Sequence, residues 1–228
     1  MHAAGTVRIF ALIASALLAT SAVAASKAEL EEAMSLDGLA KTKVKGIDLA
    51  YARPGASLAE YNKVMLDPVA VAFSKNWDPS KTGSHFKLST DEREKIRARV
   101  AKIVYDELVK ELQRKGGIYQ IVDAAGPDVL RVKANVVNLY VNAPDTMTAG
   151  RSYTYTVSAG EMTLFAELYD SETGEVLARV ADQREGRSSG MMSFSSSVSN
   201  TMEAESIASS WGRILRSALD KAHGIGKK

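Results

Sequence analysis

The chain contains no cysteine among its 228 residues. That absence excludes disulfides, thiol catalysis, thiolate-held zinc and any lipid anchor attached through an N-terminal cysteine. Histidine is almost as scarce, with His2, His85 and His223 the three imidazoles. No His-Glu-x-x-His pair or calcium-loop run of Asp and Asn occurs, so no motif assigns a metal, and the serines cluster in a low-complexity stretch where nothing would hold a nucleophile rigidly. Gly116-Gly117 follows a helical stretch instead of opening one, which is the wrong side for cradling a phosphate. An excess of charge is missing too: 29 basic against 27 acidic residues leave a formal +2. A nucleic-acid partner would call for a basic excess or stripe. The residues therefore point to no catalytic group, no metal, no cofactor and no nucleic acid.

Long apolar runs are missing as well, except at the start. Arg8 followed by Ile9–Ala19 and then Ala22-Val23-Ala24 has the charged, apolar and small-residue regions of a cleavable export signal ending at Ala24. About eleven apolar residues rise roughly 16 Å as a helix, too short for a ~30 Å hydrocarbon core. The expected location is periplasmic or secreted, without a lipid anchor and without a transmembrane span after cleavage. Residues 25–228 are long enough to hold together by their core alone.

What remains reads as an N-terminal arm over 25–55 and one α+β domain over 56–228. In the arm, Lys27–Met34 favours two helical turns, and the basic stretch Lys41, Lys43, Lys45 is open to two readings, a solvated tether or an arm wrapped on the domain. Tyr51-Ala52-Arg53-Pro54-Gly55 is a turn sequence. Val64–Phe73 is strand-like but interrupted at Asp67-Pro68, which predicts an edge or bulged strand because proline has no N–H for the ladder. Ser89 and Glu92 have capping-box spacing, and Ile96, Val100, Ile103, Val104, Leu108 and Leu112 then recur on one helical face up to Gly116-Gly117. Strand candidates follow at 118–122, 129–141, 153–157, 162–169 and 175–183. Leu130, Val132, Ala134 and Val136 share a face, as do Met162, Leu164, Ala166 and Leu168, and Asp170–Gly174 is a hairpin turn. A bulge is expected at Ala159-Gly160. From Asn200, placed as the cap with Glu203, a helix runs to His223 with Ile207, Trp211, Ile214, Leu215 and Ala218 on its apolar face. The expectation is a mostly antiparallel sheet of about four to six strands, with the long central helix and the C-terminal helix packed on one face as a two-layer sandwich.

Candidate sites are few. Asp78, His85 and Asp91 fall in one loop-to-helix region, but loops are commonly rich in such residues. Glu161, Glu167, Asp170, Glu175 and Asp182, with Arg179 and Arg184 among them, lie on the hairpin, where solvent-face ion pairs across strands explain them most simply. A hydrolase of envelope glycans or peptides would draw its carboxylates from Glu161, Asp170 or Asp182. Two features suit binding. The serine-rich stretch Ser188–Asn200 carries Met191, Met192 and Phe194, which either fold back on the core or dock on a partner or bilayer. Tyr140, Tyr153, Tyr155 and Tyr169 fall on neighbouring strand candidates, where aromatics either stabilise the sheet or form a platform. The binding candidates are Tyr153, Tyr155, Met191, Met192 and Phe194.

Tyr51, Arg53, Pro54, Gly55, Tyr61, Leu66, Asp67, Pro68 and Val69 form a Tyr-x-Arg-Pro-Gly turn, a tyrosine before the first strand and a Leu-Asp-Pro-Val break. With Pro127-Asp128-Val129-Leu130 and the turn at Asp170–Gly174, this pattern resembles the domain-of-unknown-function 3313 family over about residues 50–220. The resemblance implies a bacterial envelope location, and many such proteins are lipid-anchored, a feature this cysteine-free chain lacks. It carries no catalytic residue with it. The function expected is a non-enzymatic accessory that binds an envelope protein, polymer or lipid surface. The alternatives are the hydrolase and a structural subunit of an envelope oligomer.

Overall fold

The computed structural model describes residues 27–77, 89–114, 118–141, 154–156, 160–185, 193–195 and 197–225. The chain divides into two compact units, residues 1–33 and 34–228, the first described only over a helical stretch. The signal segment lies outside the described residues. Among them, no helix is long and apolar enough to cross a membrane.

The second unit is built on an eight-stranded, mostly antiparallel sheet. Helix α1 (Lys27–Ser35) spans the boundary between the units, and strands β1 (Ala40–Thr42) and β2 (Leu49–Ala52) follow it. Next come β3 (Lys63–Leu66), β4 (Ala70–Phe73) and helix α2 (Thr90–Leu112). Beyond these lie β5 (Gln120–Ile121), β6 (Val129–Tyr140), β7 (Thr154–Thr156), β8 (Glu161–Asp170), β9 (Val176–Glu185), β10 (Ser193–Ser195) and helix α3 (Ser197–Ala222). The spatial order is β1-β2-β9-β8-β6-β3-β5, with β4 also beside β6. The α+β class and the antiparallel character are as the residue pattern predicts. The sheet is larger than the expected four to six strands because residues 40–52 belong to it: β2 pairs with β9, and β1 pairs with β2. That stretch is therefore not a solvated tether but lies on the domain as part of its sheet.

The periodicities explain the layers. Along β6, Leu130, Val132, Ala134 and Val136 point inward, and Asn138 then adopts a left-handed conformation (φ 54°) that shifts the register. This β-bulge moves the buried phase from Val136 to Leu139. Along β8, Met162, Leu164, Ala166 and Leu168 are inward, as their alternation predicts. The Asp67-Pro68 break divides the run, and the half after it, β4, is an edge strand that among the described residues pairs with β6 alone. The run splits into β3 and β4, each parallel to β6, with β5 lying outside β3. Asp67 sits between them, donating its N–H to Val132 O (2.9 Å) and accepting a two-pronged bond from Arg131 (2.8–3.1 Å).

Helix α2 begins as its capping box requires. Ser89 Oγ accepts from the Glu92 N–H (3.2 Å), and Glu92 reaches back to the Ser89 N–H (2.7 Å). That backbone N–H holds the Glu92 carboxyl below the usual carboxylate range. Val100, Val104, Leu108 and Leu112 face the sheet and α3 in a stripe four residues apart. Where α2 and α3 cross, Gly212 permits the approach, since a Cβ there would lie 2.9 Å from the Glu111 Cβ. Helix α3 starts at Ser197, so Asn200 is an interior residue and not the expected cap. Its inward face carries Ala208, Trp211 and Leu219 fully buried, with Ile207, Ile214, Leu215 and Ala218 half-buried. The strand expected at 153–157 does not run on into the main sheet. β7 pairs with β10 in a separate ribbon, in which Tyr155 stands opposite Phe194.

The hairpin turn at Asp170–Gly174 is organised by one carboxylate. Asp170 Oδ1 accepts the N–H groups of Glu172 (3.0 Å) and Thr173 (2.7 Å), while Oδ2 accepts the Tyr61 hydroxyl (2.9 Å). The Thr173 N–H is the largest cause of an Asp170 pKa held below its ordinary value. A carboxyl depressed on folding stabilises the protein above its unfolded pKa, ~3.9 for Asp, and that contribution is lost as pH falls through the lower folded value. Asp170→Asn should therefore destabilise the protein by about 1–3 kcal/mol at pH 7. The gap should narrow as pH is lowered from 7 to an acid value beneath the depressed folded pKa, where both proteins carry a neutral side chain. Urea denaturation at both pH values checks this, and a pH-independent gap would assign the effect to shape instead.

Candidate functional site

Between the inner face of the sheet and α3 lies an apolar pocket of about 200 Å³. Its floor is Val132 and Ala134 of β6, Leu164, Ala166 and Leu168 of β8, and Ala178 and Val180 of β9. Trp211, Ile214, Leu215 and Ala218 of α3 form the roof, with Leu108 of α2 beside them. One side is closed by Val44, Ile47, Ala52, Arg53, Ala56 and Leu58. On that side Ala56 is exposed and Val44, Ile47, Arg53 and Leu58 are half-buried, which marks the mouth.

The hollow exists because small residues meet. Ala134 stands opposite Ala166, Ala166 opposite Val180, and Leu168 opposite Ala178. Alanine is depleted in strands, where β-branched residues pack the pleated surface better. Six alanines, at 52, 56, 134, 166, 178 and 218, line the space. The volume exceeds the ~150 Å³ apolar cavity that stays dry and holds a benzene, yet falls short of the ~300–1,000 Å³ of sites for drug-sized ligands. At ~24 cal/mol per Å³ of void, an empty space of this size forgoes up to roughly 5 kcal/mol of packing. That is comparable to the ~5–15 kcal/mol that holds a whole domain together.

Among the described residues, Arg53 is the one charged residue in the lining. Its Nε donates to Val176 O (2.9 Å) and lies 3.2 Å from Glu175. The turn Val44–Ile47 stands beside the mouth and is clipped in place. The Ile47 N–H bonds Val44 O (3.1 Å), Arg184 donates to Gly46 O, and the Asp48 N–H bonds Asp182 Oδ1 (3.1 Å). Gly46 has φ 84°, and a Cβ there would sit 3.3 Å from Ile214 Cδ1, so the turn rests directly on α3.

Asp182 is the most deeply placed charge, 1% exposed. Its Oδ2 accepts Trp211 Nε1 (2.7 Å) and Arg184 Nε (2.6 Å). It joins β9, the 44–48 turn and α3 at the edge of the pocket. The expected cross-strand ion pair forms between Glu167 and Arg179 at 2.9 Å, but not on a solvent face, since Arg179 is buried and also reaches Leu36 O and Asp37. The solvent-face expectation fails for Asp182 too, which is in phase with the inward Ala178 and Val180.

The hydrolase candidates do not converge. Glu161 and Asp170 begin and end β8, roughly 30 Å apart at ~3.3 Å per residue, and among the described residues no carboxylate lines the pocket. Glu161 accepts from Gln183 (2.7 Å), and Asp170 serves the turn. Among the described residues, no group of three or more His, Cys, Asp or Glu is arranged to hold a metal; Asp78 and His85 lie outside them. The tyrosines do not form one platform. Tyr169 pairs with Arg131 and Tyr140 with Glu161, at opposite ends of β6. Burial and a hydrogen bond to Glu167 push the Tyr169 hydroxyl up, and burial with Asp170 does the same to Tyr61. Of the five binding candidates, Tyr153, Met191 and Met192 lie outside the described residues, and Tyr155 and Phe194 are on the β7–β10 ribbon. The pocket itself was missed from sequence; its signal was alanine at three inward strand positions, 134, 166 and 178.

The family model described as "Protein of unknown function (DUF3313)" matches residues 30–215. No curated protein matches the chain. Among solved structures, the PelC dodecamer from Paraburkholderia phytofirmans is similar at 15% identity and TM-score 0.32, covering 75% of this chain and 96% of that one. A DUF330 protein from Xanthomonas campestris is similar at 13% identity and TM-score 0.40, covering 76% of this chain and 91% of that one. At these scores neither likeness carries a functional reading.

Proposed function

This chain belongs to the DUF3313 family, and on that premise we propose that it is a non-catalytic binding protein of the bacterial cell envelope. It is exported by residues 1–24 and holds a small aliphatic group between its sheet and its C-terminal helix. The observation that supports this is the alanine-floored pocket of about 200 Å³. A single larger residue on the floor would fill much of that space, so keeping it open has a stability penalty that an occupant offsets.

Ala166→Ile is the direct test. It places a strand-favouring side chain in the hollow and should raise stability by about 0.5–2 kcal/mol while abolishing uptake of 1-octanol. Guanidinium denaturation reads the first effect. A nuclear magnetic resonance titration, following the Trp211 indole N–H at the pocket wall, reads the second. If the variant is less stable and binds octanol as before, the pocket is not the site. Mass measurement of the protein recovered from a periplasmic extract should give a chain beginning at Ala25; a full-length product in the cytosol would remove the envelope from this reading.

A second contact region is proposed at the β7–β10 ribbon, because Phe194 and Tyr155 are register partners there. Changing Met191, Met192 and Phe194 together to Ser should reduce recovery of the protein with envelope membranes severalfold without shifting its thermal midpoint. Unchanged recovery would end this part.

A further inference from the structure

We infer that the pocket's ligand carries an anionic head, a medium-chain alkyl carboxylate, with Lys43 and Lys45 as the head-group contacts and Arg53 across the mouth. The inference rests on the proposal that the pocket binds an aliphatic group, and it adds the ligand's class and polarity. The turn Val44–Ile47 has two sides. Val44 and Ile47 line the apolar pocket, and the same two residues line a surface depression together with Lys41, Lys43, Lys45 and Asp48. Basic residues at 43 and 45 flank the wall residue Val44, and both are exposed. Asp48 is the acidic member, and its carboxylate already accepts the Gln183 N–H at 2.9 Å.

A tail entering past Val44 would leave its head within reach of the exposed Lys43 and Lys45, the chain neighbours of that wall residue, with the Arg53 guanidinium, paired with Glu175, in the lining. A strongly apolar cavity with a cationic rim is complementary to an amphiphile of the opposite sign. The volume selects among amphiphiles. About 200 Å³ suits one slender chain and excludes the paired tails of a phospholipid. A neutral alcohol of the same length would gain the apolar contact without the charge.

The test compares octanoate with 1-octanol on the intact mature protein, following the Trp211 indole resonance at low ionic strength and pH 7. Octanoate should bind about tenfold more tightly, and the preference should shrink towards unity as salt approaches 1 M. The double variant Lys43→Gln, Lys45→Gln alters exposed residues and should bring octanoate to the level of octanol while leaving octanol unchanged. Arg53→Gln should weaken octanoate more than octanol. Equal binding of the two probes, or an unaltered preference in the lysine variant, overturns the head-group assignment and leaves the aliphatic pocket standing. Binding of neither probe overturns the pocket reading, and this inference with it.

Discussion

Asp182→Ala is expected to lower the stability of the protein by about 3–5 kcal/mol, the range for breaking a buried charged network by removing one partner. For a domain near 200 residues this is a fall of roughly 6–20 °C in the thermal midpoint. The carboxylate is 1% exposed and is the acceptor for three donors, Trp211 Nε1, Arg184 Nε and the Asp48 N–H. Alanine would leave the buried indole N–H without a partner and remove the acceptor of the part-buried Asp48 N–H and of the half-exposed Arg184 guanidinium. Asp182→Asn keeps the shape but presents a donor face to some of these donors, so it should fall between the two. Thermal and urea unfolding check the order. A loss below 1 kcal/mol for alanine would mean that water takes over the three bonds and that Asp182 is not the staple described. Asp182 was also a candidate for carboxylate catalysis, and its saturation with internal donors gives it a structural role instead.

Trp211→Ala should be about as damaging, ~3–5 kcal/mol from the aromatic volume alone. The ring is 2% exposed, walls the pocket and belongs to the cluster of Val104, Leu108, Leu164 and Ala166. Trp211→Phe separates the two contributions. It keeps most of the volume and removes only the N–H to Asp182, an effect of about 1–3 kcal/mol. If the two residues act through that one bond, combining Trp211→Phe with Asp182→Ala should cost less than the sum of the single changes, by about 0.5–3 kcal/mol. Strict additivity would show that the 2.7 Å bond contributes nothing.

Much of the scaffold was legible because its signals are local. Ser89 and Glu92 lie three residues apart and satisfy one another, so the start of α2 follows from a few side chains and their own backbone. The Asp170–Gly174 turn is equally self-contained: the aspartate binds the amides two and three residues on, and Gly174 takes φ 70°. β6 and β8 alternate cleanly because one face meets the helices and the other does not. The failures have the opposite character. β1 and β2 are three and four residues long, too short for a periodic pattern, and they exist because β9 offers a free edge. The division of 64–73 into two strands reflects which stretch of β6 each half can reach. Tyr140 and Tyr169 do lie on neighbouring strands, β6 and β8, but at opposite ends of the pairing, and Tyr155 is on the separate β7–β10 ribbon.

By itself, the sequence determined what this protein is without: thiol chemistry, a charge excess and a recognisable metal-binding motif. It also determined the α+β class, the two amphipathic helices and the central hairpin, since each depends on residues within one turn or one pleat of each other. Only the tertiary structure decided that a carboxylate on β9 would be buried against an indole on α3, 29 positions away. It also decided that alanines from three strands would meet and leave a space. A hollow is a property of what several distant segments fail to fill together, and no local pattern encodes it. The lysines of residues 41–45 belong to the same lesson: their charge is plain in the sequence, but that they line a depression sharing Val44 and Ile47 with an apolar pocket is a property of the folded chain.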